Sequence, residues 1–300
     1  MAFTGILSAM VTPFDADGGL AEEETARLAR HVLANGSDGL VLTGTTGEAS
    51  TLSDDEKARV WEIGLDVART EKPGAPVIAG TGSNDTRHAI ELNERAAAAR
   101  VDGVLVVAPY YNRPNRRGLL AHFQAIAAAT DLPIVIYNIP VRCGVDMPND
   151  LLAELGQLDN IVAVKQARYE DVAPIDGVDL LAGNDDLLAT VLDLGGGGGV
   201  LVASQIAGAQ MRRMIDEPDR RAEIEQGLLP LYRALGVGPA CVTTKAALRL
   251  LGHAVGGVRL PMVDVDDGEL ATIRSALQAQ GMLGSESGPV AASAAPSWGS

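Results

Sequence analysis

The sequence predicts an α/β protein, a closed (β/α)8 TIM barrel with a small C-terminal helical appendage. Eight short apolar runs alternate with amphipathic segments over the first two thirds of the chain, and only helical spacing follows them. No Gly-x-Gly-x-x-Gly fingerprint follows the first run, which weighs against the alternative of a doubly wound open sheet. The predicted strands are Ile6–Val11, Gly39–Thr43, Pro76–Gly80, Gly103–Ala108, Pro133–Tyr137, Ile161–Lys165, Asp179–Ala182 and Gly199–Ala203.

The segments between the predicted strands have the apolar spacing of amphipathic helices. Ser53 stands before three acidic residues, which predicts an N-cap and an acidic first turn favoured by the helix dipole. The glycine run 195–199 precedes the last strand instead of following the first, so we expect a flexible loop there and no phosphate cradle. The predicted helices include Ala21–Asn35, Asp54–Thr70, Thr86–Arg100 and Arg116–Thr130.

We expect three regions along the chain. Residues 1–217 form the barrel and its active site, and residues 218–283 form the helical region. Residues 284–300 are rich in Gly, Ser, Ala and Pro and cannot bury enough apolar surface to offset ordering entropy, which predicts a flexible tail. The helices predicted in the second region are Arg220–Leu235, Cys241–Leu251 and Asp267–Gln280.

Composition limits the classes of partner. The chain has 300 residues, 47% of them hydrophobic, which is enough for a large core. Its net charge of −15 argues against nucleic acid and anionic membranes as partners. No basic leader precedes an apolar segment and no apolar run approaches the roughly 20 residues of a membrane span, so we expect a cytoplasmic protein.

Cys143 and Cys241 form neither a metal cluster nor a disulfide framework, and His31, His122 and His253 have no partner at ligand spacing.

The predicted sixth strand ends in Lys165, in a chain with four lysines and twenty arginines. A buried ammonium is costly unless it is paired, and burial lowers its pKa so that a free amine becomes available near neutral pH. An amine nucleophile requires that property. Taken alone, Lys165 is better explained as a cation that caps the strand end and reaches solvent or a carboxylate, and the residues at the other strand ends are what favour a catalytic role.

Other predicted strand ends also carry polar groups, and a barrel places its active site at that face. The second strand is followed by 44–48 (GTTGE), where glycines admit a ligand and the hydroxyls of Thr45 and Thr46 can bind a carboxylate, although a polar turn would look the same. Three of the five tyrosines lie at the ends of the fourth and fifth strands, among them Tyr111 and Tyr137. A tyrosine near a desolvated lysine can relay protons, with Thr45 orienting its hydroxyl. Arg142 is a candidate clamp for a substrate carboxylate or, alternatively, part of a surface salt bridge.

Four motifs in this order, GTTGE (44–48), PYYNRP (109–114), YNIP (137–140) and VAVK (162–165), resemble the dihydrodipicolinate synthase / N-acetylneuraminate lyase family of pyruvate-dependent class I aldolases. The resemblance runs from about Phe3 to Pro261 and implies the same barrel. It implies that Lys165 forms the Schiff base with pyruvate and that Tyr137 transfers protons above it.

The resemblance also implies roles for the residues around the Schiff base. Thr45 and Tyr111 would complete the proton relay, Tyr111 being contributed by a neighbouring subunit. Thr46 would hold the pyruvate carboxylate. Gly183 and Leu201, at the ends of the seventh and eighth strands, would line the pyruvate pocket.

Arg142 follows YNIP, as in family members that bind L-aspartate 4-semialdehyde. The implied reaction condenses pyruvate with this aldehyde to give 4-hydroxy-tetrahydrodipicolinate, with no metal or organic cofactor, in lysine and diaminopimelate biosynthesis. The implied assembly is a homo-oligomer, a dimer or a homotetramer. An aldolase acting on a sugar acid or an aromatic aldehyde is the alternative within the family, and a noncatalytic keto-acid binder is the alternative outside it.

Two stretches depart from the family pattern. Residues 238–245 (GPACVTTK) replace the Asn-Pro-Ile-Pro-Val-Lys stretch of many synthases, which leaves the subunit packing and subgroup open. The feedback pocket for lysine keeps the matching Tyr110 and Asn84 but differs at three other positions. Because these changes add a cation and remove an acid, we predict weak or absent inhibition by lysine. The changed positions carry Asp54, Lys57 and His88.

Overall fold

The structure, a computed structural model, describes residues 1–284 and contains a closed barrel of eight parallel strands in sequence order. The last strand closes the barrel by pairing with the first, so the predicted fold class is confirmed. The strands are β1 (Gly5–Ala9), β2 (Gly39–Leu42), β3 (Val77–Gly80), β4 (Gly103–Val107), β5 (Ile134–Asn138), β6 (Ile161–Gln166), β7 (Asp179–Ala182) and β8 (Gly198–Leu201).

Helices follow the strands on the outside of the barrel, as the alternating pattern predicts. Ser53 accepts the backbone N–H of Glu56 and Glu56 accepts that of Ser53, which makes a capping box at the start of α2 and confirms the predicted N-cap. The helices are α1 (Glu22–Ala34), α2 (Asp54–Glu71), α3 (Thr86–Ala99), α4 (Arg116–Ala128), α5 (Pro140–Cys143), α6 (Asn149–Leu155), α7 (Leu188–Asp193), α8 (Ser204–Asp216), α9 (Arg221–Leu235), α10 (Ala240–Leu250) and α11 (Asp267–Ala279).

The glycine run differs from the predicted loop because its last two residues belong to β8. Gly198 has φ of 133° and lies against the backbone of Gly5 in the adjacent β1. A Cβ at this position would lie 2.1 Å from the Gly5 carbonyl oxygen, so only glycine fits where the barrel closes. The sequence did not show this contact, which depends on the two ends of the barrel meeting.

The C-terminal helices pack on the side of the barrel that contains β7 and β8. One hydrophobic cluster contains Leu180 of β7, Leu201 of β8, Leu228 of α9, Ala246 of α10 and Leu277 of α11. The three helices therefore bury their apolar faces on barrel elements. The boundary at residue 217 stays a prediction, and the predicted tail lies outside the described residues apart from Gly284. No helix within residues 1–284 is long and apolar enough to cross a membrane.

Candidate active site

Lys165 and Tyr137 occupy the carboxyl ends of neighbouring strands. They are Cα partners in the parallel pair of β5 and β6, so their side chains leave the sheet at the same level. Each is 4% exposed. The Nζ atom of Lys165 lies 4.0 Å from the centroid of the Tyr137 ring. The register therefore brings together the two residues that the sequence singled out.

Burial makes the Lys165 amine available as a nucleophile. Burial and, to a smaller extent, the nearby Arg142 cation lower the pKa of Lys165 to about 7, although Asp185 acts in the opposite direction. Nζ has no ion pair with a carboxylate in the part of the chain that the structure describes. The alternative of a paired strand-end cation is therefore not what residues 1–284 show.

The Tyr137 hydroxyl is held in its protonated form. Burial raises the pKa of Tyr137 to about 12, although the Arg142 cation and a hydrogen bond with its guanidinium act to lower it. A neutral phenol near neutral pH is a hydrogen-bond donor. The site therefore combines a free amine with a phenolic proton, which are a nucleophile and a candidate acid.

Two cavities meet at Lys165. The first has a volume of about 270 Å³ and lies on the side of β2 to β5. The second, of about 430 Å³, lies between the ends of β6 to β8 and helices α9 and α10. Both are lined by Thr46, Tyr137, Arg142 and Lys165, so these four residues form the shared centre of the site.

The two threonines that follow β2 differ in exposure. Thr46 is 4% exposed and lines both cavities, whereas Thr45 is exposed and lines the first. Arg142 lies on the short helix α5 directly after β5, exposed at the mouth of both cavities. Its position beside Tyr137 suits a group that meets an anionic substrate as it enters.

The remaining predicted site residues, Gly183, Leu201 and Tyr111, differ in whether they reach a cavity. Gly183 follows β7 and lines the second cavity, where a Cβ would lie 2.7 Å from the Gln166 backbone. Leu201 is fully buried in the cluster beneath α9 and α11, and its side chain is not among the residues that line either cavity. Tyr111 is 88% exposed and lines neither cavity. Within one copy of residues 1–284, Tyr111 therefore does not meet Tyr137.

The sequence did not single out Asp185, which lines the second cavity after β7. Its carboxylate accepts the backbone N–H groups of Val202 at 2.9 Å and Ala203 at 3.1 Å. Burial raises the pKa of Asp185 to about 6 even though both hydrogen bonds act to lower it. The acidic pair following a strand end was an available signal, since the same rule identified Lys165.

The described residues also include no group of three or more His, Cys, Asp or Glu side chains arranged to hold a metal ion. Two of the histidines do meet in the fold. The ring of His31 in α1 lies 4.3 Å from that of His253, centroid to centroid. Because they are far apart in sequence, spacing could not reveal this contact.

These features define a class of protein. A desolvated lysine beside a neutral tyrosine at the carboxyl end of a closed barrel is the arrangement of an enzyme that uses covalent amine catalysis. The model of the dihydrodipicolinate synthetase family (DHDPS) matches residues 2–280. The chain belongs to this family.

Known relatives match nearly the whole chain. The 4-hydroxy-tetrahydrodipicolinate synthase of Heliobacterium modesticaldum is 41% identical over 94% of this chain and 97% of its own. A DHDPS from Cyanidioschyzon merolae, solved with lysine bound, has a TM-score of 0.90 at 38% identity, covering 94% of this chain and 99% of its own. The dihydrodipicolinate synthase of Acinetobacter baumannii, solved with pyruvate, has a TM-score of 0.88 at 32% identity, covering 93% and 99%. The family predicted from the four motifs is confirmed.

Proposed function

We propose that the chain condenses pyruvate with L-aspartate 4-semialdehyde to give 4-hydroxy-tetrahydrodipicolinate, a step in lysine and diaminopimelate biosynthesis. The observation that carries the proposal is the buried Lys165 amine, with its pKa lowered to about 7, beside the ring of Tyr137. A relative that is 41% identical over 94% of the chain bears the name of this synthase.

The first half of the reaction activates pyruvate. The free amine of Lys165 attacks the keto carbon and water leaves, which gives a protonated imine that withdraws electrons. Loss of a methyl proton then gives an enamine. Thr46 holds the pyruvate carboxylate, and Tyr137 donates and accepts the protons in a relay with Thr45 and with Tyr111 of a second copy.

The second half joins the two substrates. The enamine carbon attacks the aldehyde carbon of L-aspartate 4-semialdehyde, whose carboxylate Arg142 binds, and the new alkoxide takes a proton. The substrate's amino group then attacks the imine carbon and releases Lys165 as a free amine. Ring closure leaves 4-hydroxy-tetrahydrodipicolinate, and the two substrates lose one water in total.

We also propose that the chain forms a homo-oligomer, a dimer or a dimer of dimers. Tyr111 is 88% exposed and follows Tyr110, 39% exposed, after β4, and Val141, 89% exposed, follows the neighbouring β5 at the same end of the barrel. Exposed aromatic and apolar side chains grouped on one surface favour association. For the location we propose the cytoplasm, which suits the two free cysteines, Cys143 and Cys241.

The direct test is reductive trapping of the imine. Incubation with pyruvate and borohydride should add one reduced pyruvate to Lys165, read by peptide mass spectrometry, and the Lys165→Ala variant should gain none. A protein that stays unmodified would overturn the proposal.

The second substrate is identified by turnover. With pyruvate present, aspartate semialdehyde should react much faster than sugar aldehydes or aromatic aldehydes. Arg142→Ala should lower kcat/KM for aspartate semialdehyde by about a hundredfold, because a charge-assisted bidentate contact is lost. An equal effect of Arg142→Ala on all the aldehydes would show that Arg142 does not bind the carboxylate of aspartate semialdehyde.

A further inference from the structure

The loop that carries Thr45 and Thr46 is bounded by two non-glycine residues with positive φ. Thr43 has φ of 52° and Glu48 has φ of 56°. Such a backbone is unfavourable, above all for a β-branched residue, and persists only where surrounding contacts hold it. The contacts at the two ends of this loop therefore indicate what keeps it in shape.

The Thr43 end is held by hydrogen bonds inside the barrel layer. The indole Nε1–H of Trp61 donates to Thr43 Oγ1 at 2.7 Å, and that hydroxyl donates to the Gly80 carbonyl at 3.2 Å. Trp61 itself is fully buried in α2. This end is therefore fixed by neighbours on β3 and α2.

The Glu48 end is held by a buried ion pair with the C-terminal region. Glu48 is 3% exposed, and its Oε1 accepts Lys245 Nζ at 2.6 Å across 197 residues of sequence. Its Oε2 accepts the backbone N–H of Arg259 at 3.0 Å. Lys245, in α10, is fully buried and also donates to the Gly257 carbonyl at 2.7 Å. Within residues 1–284, the hydrogen-bond donors to this carboxylate are therefore Lys245 and Arg259, both of which follow the barrel in the chain.

Residues around the ion pair also pack closely against the loop and its partners. The Phe14 ring lies 4.0 Å from Lys245 Nζ and 4.2 Å from the Arg259 guanidinium carbon, measured to the ring centroid. Thr12 Oγ1 donates to the Gly47 carbonyl at 2.7 Å. A Cβ on Gly47 would lie 3.1 Å from the Met10 carbonyl oxygen. The loop backbone thus has little room to move while the ion pair is intact.

We propose that Glu48 and Lys245 act as a positioning pair, which fixes the loop so that the hydroxyl and N–H of Thr46 face the pyruvate carboxylate. Stability alone does not account for the pair, because buried ion pairs are often replaced by apolar residues at no cost in stability. Neither residue lines the cavities at Lys165. The inference rests on the proposed function, since it assumes that Thr46 binds the carboxylate.

The test compares two single variants, Glu48→Gln and Lys245→Met, with the double variant. Each single variant leaves a buried partner without its counter-charge and should lower the melting temperature. The double variant removes both charges and should recover much of that loss. If the pair positions the loop, the double variant should still show a pyruvate KM raised by about tenfold or more, with kcat changed less than about threefold, because Lys165 and Tyr137 are untouched.

Arg249→Met provides a matched control. Arg249 lies one turn after Lys245 in α10, and its guanidinium donates to the Gly256 carbonyl and to Asp264. Its loss removes a partly buried cation from the same helix without touching the 43–48 loop. Its pyruvate KM should match that of the unmodified protein.

The outcomes separate the inference from the proposed function. A double variant with an unchanged pyruvate KM overturns the positioning role. If the double variant does not fold, Glu48→Asp can replace it, because it keeps the negative charge but shortens the side chain and moves the carboxylate away from Lys245. An unchanged pyruvate KM in Glu48→Asp would also overturn the positioning role. Thr46→Val tests the assumption: an unchanged pyruvate KM refutes the carboxylate site, whereas a raised KM with a normal double variant refutes the positioning pair alone.

Discussion

The pKa of Lys165 determines how much nucleophilic amine exists at neutral pH. The difference between its ordinary value of 10.5 and about 7 corresponds to about 5 kcal/mol of differential interaction between the two protonation states. At pH 7 about half of Lys165 is then a free amine, against roughly one part in three thousand for an exposed lysine. Burial, together with the nearby Arg142 cation, therefore raises the fraction of free amine by on the order of a thousandfold.

Two charge deletions should move this pKa in opposite directions. Arg142 lowers the pKa of Lys165, so Arg142→Gln should move the rising limb of the pH profile to higher pH. Asp185 raises it, so Asp185→Asn should move the limb to lower pH. Each displacement should be about half to one pH unit, because burial is the larger cause and stays in place.

The assay measures the initial rate of imine trapping with pyruvate alone. Because the second substrate is absent, its contact with Arg142 cannot affect the measured rate. Cyanoborohydride traps the imine from about pH 5 to about pH 9, and intact-mass spectrometry measures the modified fraction. Arg117→Gln makes the same charge change on the exposed face of α4 and should leave the profile unchanged. A limb that moves the same way in the Arg142 and Asp185 variants, or in neither, would refute the electrostatic reasoning.

Two further predictions concern the subunit interface and regulation. The Tyr111→Phe and Lys165→Ala variants should each lose most of their activity. If Tyr111 serves the active site of a second copy, mixing the two variants under subunit exchange should restore part of the activity. No recovery would show that Tyr111 is not part of the relay. Millimolar L-lysine should leave turnover nearly unchanged, because Asp54 already pairs with Lys57 and His88 at 2.9 Å each. A saturating inhibition curve with L-lysine would contradict the second prediction.

The sequence was sufficient to predict the barrel and to single out Lys165 and Tyr137, which the structure places side by side, for a physical reason. Strands buried on both faces are continuous apolar runs, and a titratable residue at the end of one stands out against them. Lys165 and Tyr137 are such residues, and the register of β5 and β6 then makes them neighbours. The same rule could have identified Asp185, which follows β7 at the same face.

Contacts between elements that are far apart in the sequence could not be predicted in this way, because they form only when the chain has folded. The fit of Gly198 against Gly5 exists only once the barrel is closed. The pairing of Glu48 with Lys245 spans 197 residues, and neither position is part of an apolar periodicity that could signal it. The sequence shows which residues can carry chemistry, but long-range packing decides what holds them in place.

The C-terminal helical region supports one part of the candidate site and not the other. Lys165 and Tyr137 are fixed by the hydrogen-bond ladder of the barrel itself, whereas the loop with Thr46 depends at its Glu48 end on α10 and on Arg259. Under the proposed function, the contacts of Lys245 and Arg259 with Glu48 therefore make the region after residue 217 a support for the loop that would hold pyruvate.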